Sequence, residues 1–257
     1  MRKMLIIALL AGLFSCGNNK TGKTDEAITR KAEHITPTKD QQERRLRSEE
    51  YCKSRGVPVY SNPNALFVEP EADVTVRTKD EVVDRAIALC YLELKSEGAD
   101  KKMLAGFDKK YNVMAKLTAD EKAFALSENP TTQQMTDANW RAESFHVMLW
   151  ALGYIDNLKY PNEICVVADD VKHLVSKTEK EFRDQAKLRT KAEILDQADL
   201  ALRLHWACVN EQLKPVARPS TADRLDLDKS VVYERHYSLN WLMHYQDQGW
   251  DDITTDT

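Results

Sequence analysis

In the run Glu143-Ser-Phe-His146, a carboxylate and an imidazole stand three residues apart. On a helix that spacing puts both on one face, within reach of a single ion, and di-iron bundles use such a pair on two of their four helices. Asp170-Val-Lys-His173 repeats the spacing more loosely, and Glu193, Asp196 or Glu234 would have to supply the remaining carboxylates. The pattern is short and frequent in charged helices. No metal and no cofactor are therefore expected, with Glu143 and His146 the nearest approach to a ligand pair.

A second group recurs at steps of three and four: Asp196, Asp199, Arg203, Trp206 and Asn210. Two carboxylates, a guanidinium and an indole on one stripe read first as a helix surface laced by Asp199 and Arg203. The other reading is the wall of a groove for a ligand with polar and apolar parts. His205 falls in the neighbouring apolar stripe, where a hydrogen-bonded core histidine is expected. The acidic C-terminal run (Trp250-Asp251-Asp252) would need arginine or backbone partners if it docks, and Arg141, Arg203 and Arg235 are the candidates. Together Arg141, Glu143, Arg203, Trp206, Glu234, Arg235, Asp251 and Asp252 make a candidate polar cluster at the heart of the domain. An open pocket lined by Arg203, Trp206 and Glu143 would make it a site, and a closed, fully paired network would make it part of the fold.

Several familiar catalytic signatures are absent: the chain has no G-x-S-x-G, G-x-G-x-x-G or H-E-x-x-H. Cys16 is different. Arg2 and Lys3, an apolar run over residues 4–13, then Leu13-Phe-Ser-Cys16 form a basic, apolar and small-residue sequence too short to span a bilayer. This resembles a bacterial lipoprotein signal, in which residues 1–15 are removed and the Cys16 thiol takes the lipid. Gly17 and Asn18 follow it with no aspartate, which favours an outer-membrane position in a Gram-negative envelope, on the periplasmic or the surface face.

Four further cysteines, Cys52, Cys90, Cys165 and Cys208, allow three disulfide pairings, but Cys90 and Cys208 lie in apolar runs where a thiol packs as a small hydrophobe. Charge is uneven. Residues 17–47 hold eight Lys/Arg against five Asp/Glu, a net of +3; with Arg2 and Lys3 set aside, residues 48–257 carry −9. An acidic body without a basic stripe argues against nucleic acid.

Positioning these residues falls to helices. Glycine is scarce, 8 of 257, which disfavours a many-stranded sheet. Four Thr-x-x-Glu boxes, at Thr78, Thr118, Thr178 and Thr190, each precede a helix-like run and read as N-terminal caps. Helices are expected near 41–55, 79–97, 119–127, 136–156, 166–176, 179–189, 191–213 and 228–247. Residues 57–77 hold three prolines and leave room for an irregular stretch or minor β structure. Residues 16–40 read as a flexible tether and 41–257 as one compact, mainly α domain.

Five blocks resemble one family, the domain of unknown function 4272: RRLRSEEYCKSRGVPV (44–59), TKDEVVDRAIAL (78–89), WRAESFHVMLWALG (140–153), EILDQADLALRLHWA (193–207), and the C-terminal block with ERHYSLNWL and GWDDITTDT. The resemblance spans 44–257 and implies a mainly helical domain, with no reaction, cofactor or partner attached. The resulting expectation is a lipid-anchored envelope protein, a non-catalytic binding or interaction module. The rival is a hydrolase using Glu143, Glu234 or Asp251, with or without a metal. A third reading is an acidic partner for a basic protein, which salt would weaken steeply.

Overall fold

The computed structural model describes residues 36–64, 66–213 and 225–257. The leader, Cys16 and most of the tether lie outside the described residues. The chain divides into two units, and the larger, Pro37–Ser61 with Leu66–Thr257, contains every helix among the described residues.

Nine α-helices are found among the described residues: α1 Lys39–Ser54, α2 Lys79–Ser96, α3 Lys101–Tyr111, α4 Ala119–Leu126, α5 Thr132–Ala151, α6 Val167–Val175, α7 Glu179–Gln185, α8 Lys191–Leu213 and α9 Lys229–Leu242. None of them is long and apolar enough to cross a membrane. The stretch 57–77 is irregular, with no strand among the described residues.

All four predicted caps are made. Thr78, Thr118 and Thr178 each accept from the backbone N–H three residues on, while Glu81, Glu121 and Glu181 reach back to the cap. Thr190 and Glu193 do the same at α8. Two glutamine versions begin α1 (Thr38, Gln41) and α5 (Thr131, Gln134). Helix α3 has no counterpart among the expected helices; Asp100 caps it by accepting from Met103 N–H at 2.7 Å.

Packing runs in one series: α2 against α5, α5 against α9, α9 against α8, and α8 against α1. Helix α2 lies at the centre, with Val82, Val83 and residues 86–92 buried all round it, as expected of a helix with no solvent face. Helices α3, α4, α6 and α7 pack around α2. The predicted helix at 136–156 begins earlier, at Thr132, and stops at Ala151. Gly153 takes φ +76°, and the carbonyl of Lys187 would stand 3.0 Å from any Cβ there. Only glycine fits both demands.

Candidate functional site

The predicted polar cluster separates into distinct pairings. Glu234 of α9 accepts from Arg141 at 3.0 Å and from Ser144 at 2.7 Å, both on α5. Burial raises its pKa, and Arg141 and Ser144 pull it back down. Arg141 also lies over the Tyr237 ring, 4.3 Å from its centroid. Elsewhere on α5, Glu143 takes Arg235 Nε at 3.3 Å, and Arg235 Nη1 donates to the Lys159 carbonyl at 2.5 Å. These two arginine–carboxylate pairs bolt α5 to α9.

Arg203 stands apart from them. It pairs with Asp199 at 2.9 Å, both side chains 1% exposed, and donates to the Leu66 carbonyl. The pair forms as the spacing predicts, but it is buried: α1 packs over this helix and turns an expected surface stripe into interior. Trp206 packs against Tyr60 with its ring tilted, centroids 5.3 Å apart. Among the described residues the partners of Glu143 are Arg235 and Cys165, and neither Arg203 nor Trp206 shares them.

The C-terminal run docks mainly through its indole and backbone, with one carboxylate, Asp251, adding a hydrogen bond to Thr118. Trp250 is buried with Arg85 over its ring at 4.6 Å and Arg141 at 5.6 Å. Tyr237 donates to the Trp250 carbonyl, and Asn240 donates to that of Thr254 at 2.8 Å. Asp252 is exposed. Asp251 is raised by burial, with a hydrogen bond to Thr118 opposing. Arg85, which no sequence motif marks, is held through both oxygens of Glu121.

An open cleft of about 590 Å³ is lined by α5, α8 and α9, with Trp140, Arg141, His205, Tyr233, Glu234 and Lys229 in its wall. Of the predicted cluster only Arg141 and Glu234 face it. His205 is hydrogen-bonded, as expected: its Nδ1 lies 2.9 Å from Nδ1 of His236, so one ring donates and the other accepts. Burial lowers both imidazoles, His236 to about 3 with His205 adding to the effect. Tyr233 is among the exposed large side chains of the chain. The cleft therefore offers aromatic surface beside a guanidinium already fixed in place by Glu234.

A third grouping lies at the start of α6. His146 of α5 and Asp170 of α6 meet at 2.8 Å, and Cys165, just ahead of α6, joins them so that one donor atom of each lies within 4.8 Å of the others. The Cys165 backbone N–H donates to Glu143 at 2.5 Å. Burial, then the Glu143 and Asp170 carboxylates, push the thiol strongly up. Nearby on α2, Glu93 is 1% exposed with Oε2 unpartnered, and burial, Glu97 and Asp170 raise its pKa to about 8. Glu143 and His146 do not close on one ion as a pair; His146 groups instead with Cys165 and Asp170, to which no sequence spacing connects it. All four cysteines are free thiols.

The chain matches, over residues 44–253, the family described as Domain of unknown function (DUF4272), and it belongs to that family. No curated protein and no solved structure matches it.

Proposed function

We propose that this member of the DUF4272 family is a lipid-anchored envelope protein whose helical domain is a non-catalytic binding module, with the cleft between α5, α8 and α9 as its binding surface. The observation that carries the reading is the cleft itself. It is open, about 590 Å³, and joins exposed aromatic surface from Tyr233 to charges of both signs at Arg141, Lys229 and Glu234. Pockets of this size and mixed lining take ligands with an apolar body and a few polar anchors. Arg141 is preorganised by Glu234 and by the Tyr237 ring, which lowers the ordering cost of binding. A peptide segment or small molecule with an anionic end suits it. The Cys16 leader supports the anchor: a lipid on Cys16 would hold the domain at a bacterial outer membrane through the tether.

Two measurements test the parts separately. Cells fed a clickable palmitate analogue should label the full chain and leave Cys16→Ala unlabelled and released from membranes. An unlabelled wild-type chain sinks the anchor. For the cleft, a library of short peptides and small anions is screened by thermal shift against the full chain. Any hit is then repeated on Tyr233→Ala and Lys229→Glu. Loss of the hit in these surface variants supports the cleft; equal binding moves the site elsewhere, and turnover of a hit ends the non-catalytic reading. The rival hydrolase is not favoured at Glu143 or Glu234, since arginines hold both.

A further inference from the structure

Three separate pieces of chain bring a ring nitrogen, a thiol sulfur and a carboxylate oxygen together at His146, Cys165 and Asp170. None of the three lines the cleft. Their placement is enforced. His146 follows Glu143 by one helical turn, Asp170 sits in the first turn of α6, and Cys165 is tied down through its own N–H to Glu143 Oε1 at 2.5 Å. Glu143 is in turn fixed by Arg235.

Protons and cations are in short supply there. The Cys165 sulfur faces two carboxylates, Glu143 and Asp170, and has one proton to give. The ion-pair partner of Asp170 among the described residues is His146. Glu93, buried on α2 within electrostatic reach of Asp170, has an oxygen with no donor at all. Buried carboxylates in that state cost free energy unless a cation or donor meets them.

We propose that His146, Cys165 and Asp170 are the protein ligands of one zinc-class divalent cation, with Glu143 positioning the cysteine and Glu93 as an outer carboxylate. The donor set selects the metal: nitrogen, sulfur and oxygen together suit zinc, whereas magnesium and calcium take oxygen alone. Zinc bonds of about 2.0–2.3 Å place tetrahedral donors roughly 3.3–3.7 Å apart. The group, within 4.8 Å, has to draw in by about 1 Å, and the 2.8 Å His146–Asp170 contact has to open slightly. Both are side-chain adjustments. Binding releases the thiol proton of Cys165 to solvent. Three protein ligands leave a fourth position for water or an outside ligand.

The same residues could be read as a cysteine nucleophile with its histidine and aspartate. Two features oppose that. The Cys165 N–H is committed to Glu143 and cannot stabilise an oxyanion, and two carboxylates beside the sulfur disfavour a thiolate unless a cation joins it.

The full chain, stripped with chelator and kept reduced, is titrated with zinc against a competing chelating dye, and separately with cobalt. One equivalent of zinc should bind, and the cobalt form should show a thiolate-to-metal charge-transfer band. Cys165→Ser should abolish the band and, like His146→Gln, weaken zinc by more than 100-fold. Glu93→Gln should weaken zinc by less than either, since Glu93 acts on the site through its charge near Asp170. Circular dichroism of the metal-free variants separates lost binding from lost fold, and the wild-type cobalt spectrum depends on no variant. Failure of the wild type to take up zinc, a cobalt form without the sulfur band, or a band that persists in Cys165→Ser would each overturn the site. Thermal-shift hits at the cleft leave this outcome untouched, so the two readings fail independently.

Discussion

Glu234 and Glu93 are both buried carboxylates on long central helices, and the fold treats them in opposite ways. Glu234 of α9 receives Arg141 and Ser144. Glu93 of α2 leaves one oxygen without a donor and has Asp170 and Glu97 for company. Around α9 each buried acid is matched: Glu143 by Arg235, Glu234 by Arg141, Asp199 by Arg203. Where Glu93 and Glu97 at the C-terminal end of α2 come near Asp170 of α6, carboxylates outnumber the cations that meet them. Matched charges hold helices in register and leave little chemical potential unused. Unmatched ones mark where the chain keeps a capacity that something else must satisfy.

The largest expected effect comes from breaking the matched side. Arg235→Ala leaves Glu143 charged in a dry interior and removes the donor to the Lys159 carbonyl. Denaturant unfolding should show a loss of about 3–5 kcal/mol, the usual consequence of stranding one member of a buried pair. Arg183, which pairs with Glu179 and Asp84 on a half-exposed face, should cost under about 1 kcal/mol as Arg183→Ala. Equal losses at the two arginines would erase the distinction between a buried, matched region and ordinary surface pairing.

Next is acid. His236 lies on the matched side, neutral, with its pKa lowered to about 3 by burial and by His205. An imidazole depressed in the folded state binds its proton more readily when unfolded. Stability from this residue is therefore whole above about 6.5 and falls as pH drops towards 3. By pH 4 the loss should reach about 3 kcal/mol, at 1.36 kcal/mol per unit. His236→Gln should flatten that part of the profile in a series of thermal melts between pH 4 and 7. An unchanged slope would place the acid sensitivity elsewhere.

How much of this is legible in the sequence depends on range. The Thr-x-x-Glu caps can be read because both partners lie three residues apart, and all four form. Asp199–Arg203 is legible as a pair for the same reason, but its burial is not, because that depends on α1 arriving from about 150 residues away. Helix α5 ends five residues before its expected position, since Gly153 makes its turn against the distant Lys187 carbonyl. Helix α3 escapes the pattern although Met103, Leu104, Phe107 and Tyr111 fall at helical spacing; Gly106 in its middle and four lysines hide the signal. The His146, Cys165 and Asp170 group does not show in the sequence, because its members come from two helices and the segment between them. Arg85 beneath Trp250 leaves no local trace at all.

On the unmatched side the sign should reverse. The carboxyl of Glu93 has its folded pKa raised to about 8 from an ordinary 4.5. The folded state then holds a proton that the unfolded chain releases, so stability from this group is complete below 4.5 and declines as pH rises through 8. Glu93→Gln removes that decline while keeping the shape of the protonated acid. In metal-free protein at pH 7 it should stabilise by about 2 kcal/mol, after roughly 1 kcal/mol is given back for the amide's own unmatched N–H. At pH 4.5 it should be neutral or slightly unfavourable. Glu234→Gln, which discards a charged partner of Arg141, should destabilise at both pH values. Two glutamates that respond alike would mean that Glu93 has a donor after all, and the contrast between the regions would fail.

The smallest effect tests whether the two regions also differ in how they are anchored. Thr178 and Thr190 make the same reciprocal cap, one at the seven-residue α7 beside α6, the other at the 23-residue α8 on the matched side. Replacing either by alanine should cost about 1 kcal/mol. The cost should appear differently. Helix α8 is buried along Ile194, Leu195, Ala198 and Leu202, so its packing survives a frayed first turn and Thr190→Ala lowers global stability with little local opening. Helix α7 is too short to persist alone and is held mainly by Phe182, which stacks on Tyr154 at 4.7 Å and is fully buried. Thr178→Ala should therefore raise hydrogen exchange across 179–185 well before the rest of the chain opens. Tyr154 also touches His173, one turn beyond Asp170, so that opening should spread into α6 and loosen the ground on which Asp170 stands. Exchange confined to α7 would show instead that the unmatched corner is held from α5 and α2 and owes nothing to the cap.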